Sequence, residues 1–192
     1  RGRGYWYFSR IEKGQNYGRF CRVPAGDEWI PPQVQRDSEV PGEEVIFDME
    51  KESQGQEFFS VGVVAVTDSG RYLAYSLDLE GNERYTLRIR DLSTGEDLPD
   101  VLENISSGCT WVGEDYIFYD TVDEAWRPDS VWRHKVGTPR SEDVCVFHEP
   151  DERYWVGSGL TVSDKFVMIG CSSKLTSEYY YLPADDPEGE FR

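Results

Sequence analysis

Between Ser60 and Leu98 the sequence SVGVVAVTDSGRYLAYSLDLEGNERYTLRIRDLSTGEDL alternates short apolar runs with turn-forming clusters, and few folds accommodate that pattern. Ser60 to Val66 reads as a strand, and Asp68-Ser69-Gly70 supplies a tight loop. Arg71 to Leu77 is a second strand, closed by the turn Asp78-Leu79-Glu80-Gly81-Asn82. In the third, Glu83 to Arg90, Tyr85, Leu87 and Ile89 alternate with Thr86, Arg88 and Arg90, the period of two that a strand requires. Asp91 to Gly95 turns the chain again, into a short fourth strand at Glu96 to Leu98. Val61 to Val66 is apolar on both faces, so it needs a neighbour on each side. A β-sandwich, with one wet face per sheet, would show more alternation. The reading is therefore all-β: a partial β-propeller of four-stranded antiparallel blades.

Weaker copies flank this unit. Tyr5 to Arg10 and Tyr17 to Val23 form a hairpin, Pro24 to Pro41 reads as a loop, and Glu44 to Asp48 closes an incomplete first blade. Met49 to Glu57 has room for a helical turn. Downstream, Cys109 to Val112, Tyr116 to Asp120, Ser130 to Val136 and Val144 to His148 make one more blade. Tyr154 to Val162, Phe166 to Cys171 and Ser177 to Leu182 begin another. The second strands start at Tyr72, Tyr116 and Phe166, spacings of 44 and 50 residues that match a propeller repeat. These three strands are expected in three successive sheets. The blades are bounded as 1–48, 58–101, 108–149 and 154–192, within one partial domain. Asp185 to Arg192 reads as a turn entering a further strand. Three and a fraction blades do not close a ring, and the chain starts at Arg1 rather than Met, so a larger parent wheel is expected, with self-association through its open blade ends.

Charge and cysteine usage narrow the function. A formal net charge of −17 repels phosphate backbones, which excludes nucleic acid, and suits either simple solubility or attraction of cationic peptides. No run reaches the length of a membrane span, and no leader opens the chain. Cys21, Cys109, Cys145 and Cys171 contain no CxxC pair and read as small apolar fillers, pointing to a reducing, cytoplasmic setting. With only His134 and His148 as imidazoles, no metal or other cofactor is expected.

Five stretches carry a resemblance: YWYFSRIEKGQNYGRFCR (5–22), LAYSLDLEGNERYTLRIRDLSTGE (73–96), DEAWRPDSVWRHKVGT (123–138), EDVCVFHEPDERYWVG (142–157) and SKLTSEYYYL (173–182). In this order they resemble the oligopeptidase B group, the trypsin-like branch of the prolyl oligopeptidase family of serine peptidases. The resemblance implies a seven-bladed propeller joined to an α/β-hydrolase domain, of which this chain matches the first half of the propeller. It also implies cleavage of short peptides after Arg or Lys, with the propeller restricting access to the active site.

The nucleophile of such a hydrolase sits in a G-x-S-x-G elbow. Gly157-Ser158-Gly159 lacks the required residue at Val156 and reads as a core strand, so no catalytic residue is assigned and the chain alone is expected to be inactive. Neither His134 nor His148 has an acid–base partner by motif. Loops after second and fourth strands share one end of a propeller. On that end lie Asp78 and Glu80, then Asp123, Glu124 and Arg127, then Asp151, Glu152 and Arg153. Asp123, Glu124 and Glu152 are the candidate substrate-facing residues, set against a structural role in which Arg127 pairs locally with a carboxylate. The competing function is a free-standing propeller that binds a protein or glycan.

Overall fold

The computed structural model describes residues 4–26, 30–35 and 38–192, so part of the expected 24–41 loop lies outside the described residues, as does Arg1. The chain opens with β1 (Tyr5–Arg10), β2 (Arg19–Pro24) and β3 (Glu44–Asp48), hydrogen-bonded in that order. A single helical turn, α1 (Met49–Glu52), follows, started by the Asp48 side chain accepting from the Lys51 N–H. Seven strands then pair in sequence order: β4 (Ser60–Val66), β5 (Tyr72–Asp78), β6 (Tyr85–Asp91), β7 (Glu96–Val112), β8 (Tyr116–Val122), β9 (Pro128–Lys135) and β10 (Val144–His148). A 3₁₀ turn at Arg140–Glu142 precedes β10. The last sheet holds β11 (Trp155–Leu160), β12 (Phe166–Ser172) and β13 (Ser177–Pro183). Beyond β13, Arg192 exchanges two backbone hydrogen bonds with Tyr181 (2.9 and 3.0 Å). Among the described residues no helix is long and apolar enough to cross a membrane.

One expectation needs correcting. The Tyr72 and Tyr116 strands do not lie in separate ladders, because β7 runs unbroken for 17 residues. Its first half pairs with β6 (Leu87 opposite Leu102, Arg90 opposite Asp97) and its second half with β8 (Cys109 opposite Tyr119, Trp111 opposite Ile117). Ile105 is the common residue, paired with both Tyr85 and Thr121, and the register shifts on either side of it. Such irregularities bend a strand. The outer strand of one four-stranded unit thereby becomes the inner strand of the next without leaving extended conformation. The bend carries β4 back against β7, where the Ser76 hydroxyl donates to the Ser107 carbonyl (2.7 Å) and the Trp111 indole N–H to the Ala65 carbonyl (3.0 Å). The Phe166 strand keeps its own sheet.

The core confirms that successive units are stacked wedges. Leu73 and Tyr75 on one face of β5 pack with Phe47 and Phe20 of the first sheet. Ala74 on its other face joins Leu87, Ile89 and Leu102 against Trp111, Ile117 and Tyr119 of the next unit. Phe118 and Val131 turn the other way, onto Val156, Val167, Ile169 and Leu182 of the last sheet. β5 and β8 thus bury residues on both faces, as their near-continuous apolar sequences require. Replacing Trp111 by Phe should cost about 1–2 kcal/mol, since it leaves the Ala65 carbonyl without its donor; chemical denaturation of the variant measures it.

Candidate functional site

Three loops meet at one end of the stack: 79–84 between β5 and β6, 123–127 between β8 and β9, and 149–154 between β10 and β11. Each is nucleated by an aspartate whose carboxylate collects backbone N–H groups, the local motif that favours Asp in turns. Asp78 accepts from Glu80, Gly81 and Glu83; although its burial works the other way, these donors hold its carboxyl below the usual range. Asp123 accepts from the N–H of Arg127 and Ala125 and from the Arg127 guanidinium, and is lowered likewise. Asp151 is held down to about 2 by its fork with Arg153 and by the Arg153 N–H.

Contacts between loops lash them together. The Arg84 guanidinium donates to the Asp123 carbonyl (3.0 Å) and lies over the Trp126 ring (5.0 Å to its centroid). The Trp126 indole N–H donates to the Asn82 carbonyl (2.7 Å). Arg127, only 7% exposed, gives one nitrogen to the carbonyls of Glu149 (3.1 Å), Asp151 (3.2 Å) and Tyr154 (2.9 Å). Asp123 is therefore committed to its own turn and to Arg127. Glu124 and Glu152 are exposed on the two loops that Arg127 joins. Glu152 also edges a cleft with Trp155, Lys174 and Leu175.

A smaller notch of about 350 Å³ opens at the same end, between the β5–β6 and β8–β9 loops. Glu83, Tyr85, Ser107, Val122, Trp126 and Pro128 form most of its wall. None of these residues is a candidate from the sequence alone. An exposed Trp in the polar loop Asp123 to Arg127 was the one available signal; the left-handed backbone at Glu83 and Trp126 (φ 59° in both) leaves no sequence trace.

The other residues singled out fall as follows. Ser158 lies in β11, opposite Ile169 of β12, and donates to Asp120 (2.7 Å), whose carboxyl is pushed up by burial. It is a core-strand serine. Burial pushes the thiols of Cys21 and Cys109 up to about 12 and that of Cys171 to about 11, which makes them poor nucleophiles. Among the described residues no group of three or more His, Cys, Asp or Glu is poised for a metal. His148 is half exposed and bonds to Ser130 (2.9 Å). The sequence offers no acid–base partner for His134, but the fold supplies two. Its Nδ1 lies 2.6 Å from Asp143 and its Nε2 3.5 Å from Asp100, all three side chains fully buried. This cluster ties β9 to the outer part of β7 and to the connection before β10.

Successive antiparallel wedges of three or four strands, packed face to face with their loops gathered at one end, define a segment of a β-propeller. The chain belongs to the family described as prolyl oligopeptidase, N-terminal beta-propeller domain, whose model matches residues 1–192. It is 32% identical to the dipeptidyl aminopeptidase BI of Pseudoxanthomonas mexicana over 97% of this chain and 27% of that protein. It is 34% identical to protease 2 of Moraxella lacunata over 95% of this chain and 26% of that one. Among solved structures, oligopeptidase B from Leishmania major superposes with a TM-score of 0.86 at 28% identity, covering 96% of this chain and 25% of that one. Oligopeptidase B from Trypanosoma brucei, with covalently bound antipain, gives 0.85 at 31%, covering 100% and 26%. The chain thus spans about a quarter of the length of these relatives.

Proposed function

We propose that this chain is the access-controlling part of a serine oligopeptidase that cleaves short peptides after Arg or Lys. The reaction belongs to an α/β-hydrolase domain of the same parent protein, and the chain by itself hydrolyses nothing. The observation that carries this reading is the loop end, where Arg84, Trp126 and Arg127 tie three turns into one rigid, acidic rim. A rim fixed in this way admits an extended chain and resists a folded one, and its carboxylates draw cationic peptides from solution. Membership in a peptidase family, with relatives about four times as long, supports a hydrolase partner. Four free cysteines suit a reducing, cytoplasmic location.

The outward face of the last sheet fits the same reading. Trp155, Tyr179 and Tyr181 lie exposed there (59%, 67% and 40%), where the next blade of the parent would stack. Separated from the parent, the chain is expected to self-associate through this face, which light scattering on the isolated chain would show. The gating reading is tested in the full-length enzyme by Glu124→Lys combined with Glu152→Lys. A fall of about tenfold in kcat/KM for short Arg-containing peptides is expected, lessening with added salt. Unchanged kcat/KM discards the reading.

A further inference from the structure

We propose that the notch walled by Glu83, Tyr85 and Trp126 is a binding site for the guanidinium or ammonium head of one basic residue of a peptide. The proposal deepens the reading above, on which it rests for the ligand being a peptide. Its volume of about 350 Å³ suits a single long side chain rather than a whole peptide. Among the described residues that line it, Glu83 alone is charged, so the field inside selects a cation. Two aromatic rings, Tyr85 and Trp126, offer the faces over which a guanidinium or ammonium is attracted. Trp126 already behaves this way toward Arg84, whose guanidinium carbon lies 5.0 Å from its centroid. Val122 and Pro128 in the wall provide apolar contact for an alkyl stem.

The site is built in advance of any ligand. Glu83 and Trp126 both hold left-handed backbone, a conformation that side-chain-bearing residues adopt rarely and mostly where the surroundings impose it. The surroundings here are the Asp78 carboxylate, which accepts the Glu83 N–H (2.8 Å), and the Asn82 carbonyl, which fixes the indole. Arg84, the nearby cation, is drawn onto the Asp123 carbonyl (3.0 Å). A neutral side chain of the same shape would fill the notch but forgo the attraction of Glu83.

The test uses the full-length protein labelled with 5-fluorotryptophan, with the Trp126 fluorine resonance assigned through Trp126→Phe. Titration with N-acetyl-argininamide should shift that resonance saturably. N-acetyl-citrullinamide, the uncharged isostere, should bind at least tenfold more weakly. Glu83→Gln should weaken the arginine compound by a similar factor, whereas Glu142→Gln, an equal charge change at an exposed position in the β9–β10 connection, should not. An unmoved Trp126 resonance, or equal shifts with arginine and citrulline compounds on the unaltered protein, overturns the site. Because the readout is binding, indifference of catalysis to Glu124→Lys and Glu152→Lys would discard the gating reading alone.

Discussion

Replacing Asp143 by Asn is expected to destabilise the protein by about 3–5 kcal/mol, because it leaves a buried imidazolium with one distant partner. His134 sits in β9 between two fully buried carboxylates, one belonging to the outer part of β7 and the other to the connection before β10. Asp143 also accepts from the Tyr119 hydroxyl (2.7 Å), and Asp100 from the Gly137 N–H (2.9 Å), so both anions are otherwise well solvated by the protein. Burial by itself would drive the proton off His134, but its hydrogen bond to Asp143 and the Asp100 carboxylate 3.5 Å from its other nitrogen outweigh burial and hold the pKa up at about 9. A folded-state pKa above the unfolded value means that protonation stabilises the fold. The contribution is complete below about pH 6.5 and disappears as pH rises through about 9. Its size is on the order of 3 kcal/mol. Denaturation midpoints measured from pH 6 to 10 should fall across that window, and the Asp143→Asn variant should lose most of the slope. A His134 ring that titrates near 6.5 by NMR would contradict the assignment.

How far the sequence revealed this arrangement depends on the range of each interaction. The strands were readable because their determinants are local: alternation in Tyr85 to Ile89, a turn glycine such as Gly70 or Gly81 with positive φ, and an aspartate opening each loop. β3 and β10 fall where the pattern put them, and most other boundaries move by one or two residues. The course of β7 was not readable. Pro99, Asn104, Ser106, Ser107 and Gly108 look like a linker, yet neighbours on both sides hold the segment extended, with Leu102 and Ile105 fully buried. Asp143 stands 9 residues from His134, in the connection of its own unit, whereas Asp100 stands 34 residues away in the outer part of β7, so only the stacking of two units makes Asp100 its partner. The candidate rim divides the same way. Asp123 turned out to serve its own turn, a fate legible from Arg127 four residues on, whereas the notch at Glu83 and Trp126 is a product of two loops meeting.

Gly62 is the position where a single added methyl group should do most harm to the stack. The β4–β5 register shifts between Val61 and Val64, and this irregularity removes the Val63 N–H from the ladder. The Ser76 hydroxyl oxygen accepts it (3.0 Å) while donating to Ser107 of β7, so one side chain satisfies both strands. Such a bridge needs β4 and β7 close together, and Gly62 is the residue that lets them approach. A Cβ there would stand 2.5 Å from Ser76 Oγ, 2.6 Å from the Ser107 carbonyl oxygen and 2.8 Å from the Tyr85 ring. The ring has some freedom to move, but the carbonyl belongs to the backbone of β7, which is held by its pairing with β6 on one side of Ser107 and with β8 on the other, so relief requires the two blades to separate. Gly62→Ala is expected to cost about 3 kcal/mol, near the upper end for overpacking, and Gly62→Val more. In a domain of this size that corresponds to roughly 6–12 °C in Tm for the alanine variant. Adding Ser76→Ala should not restore stability, because the carbonyl contact remains and the Val63 N–H is then left without an acceptor. Gly108→Ala is the control: a Cβ at that position meets nothing within 4 Å. Thermal melts in which Gly62→Ala and Gly108→Ala coincide would show that the blades are not held at the spacing Gly62 permits.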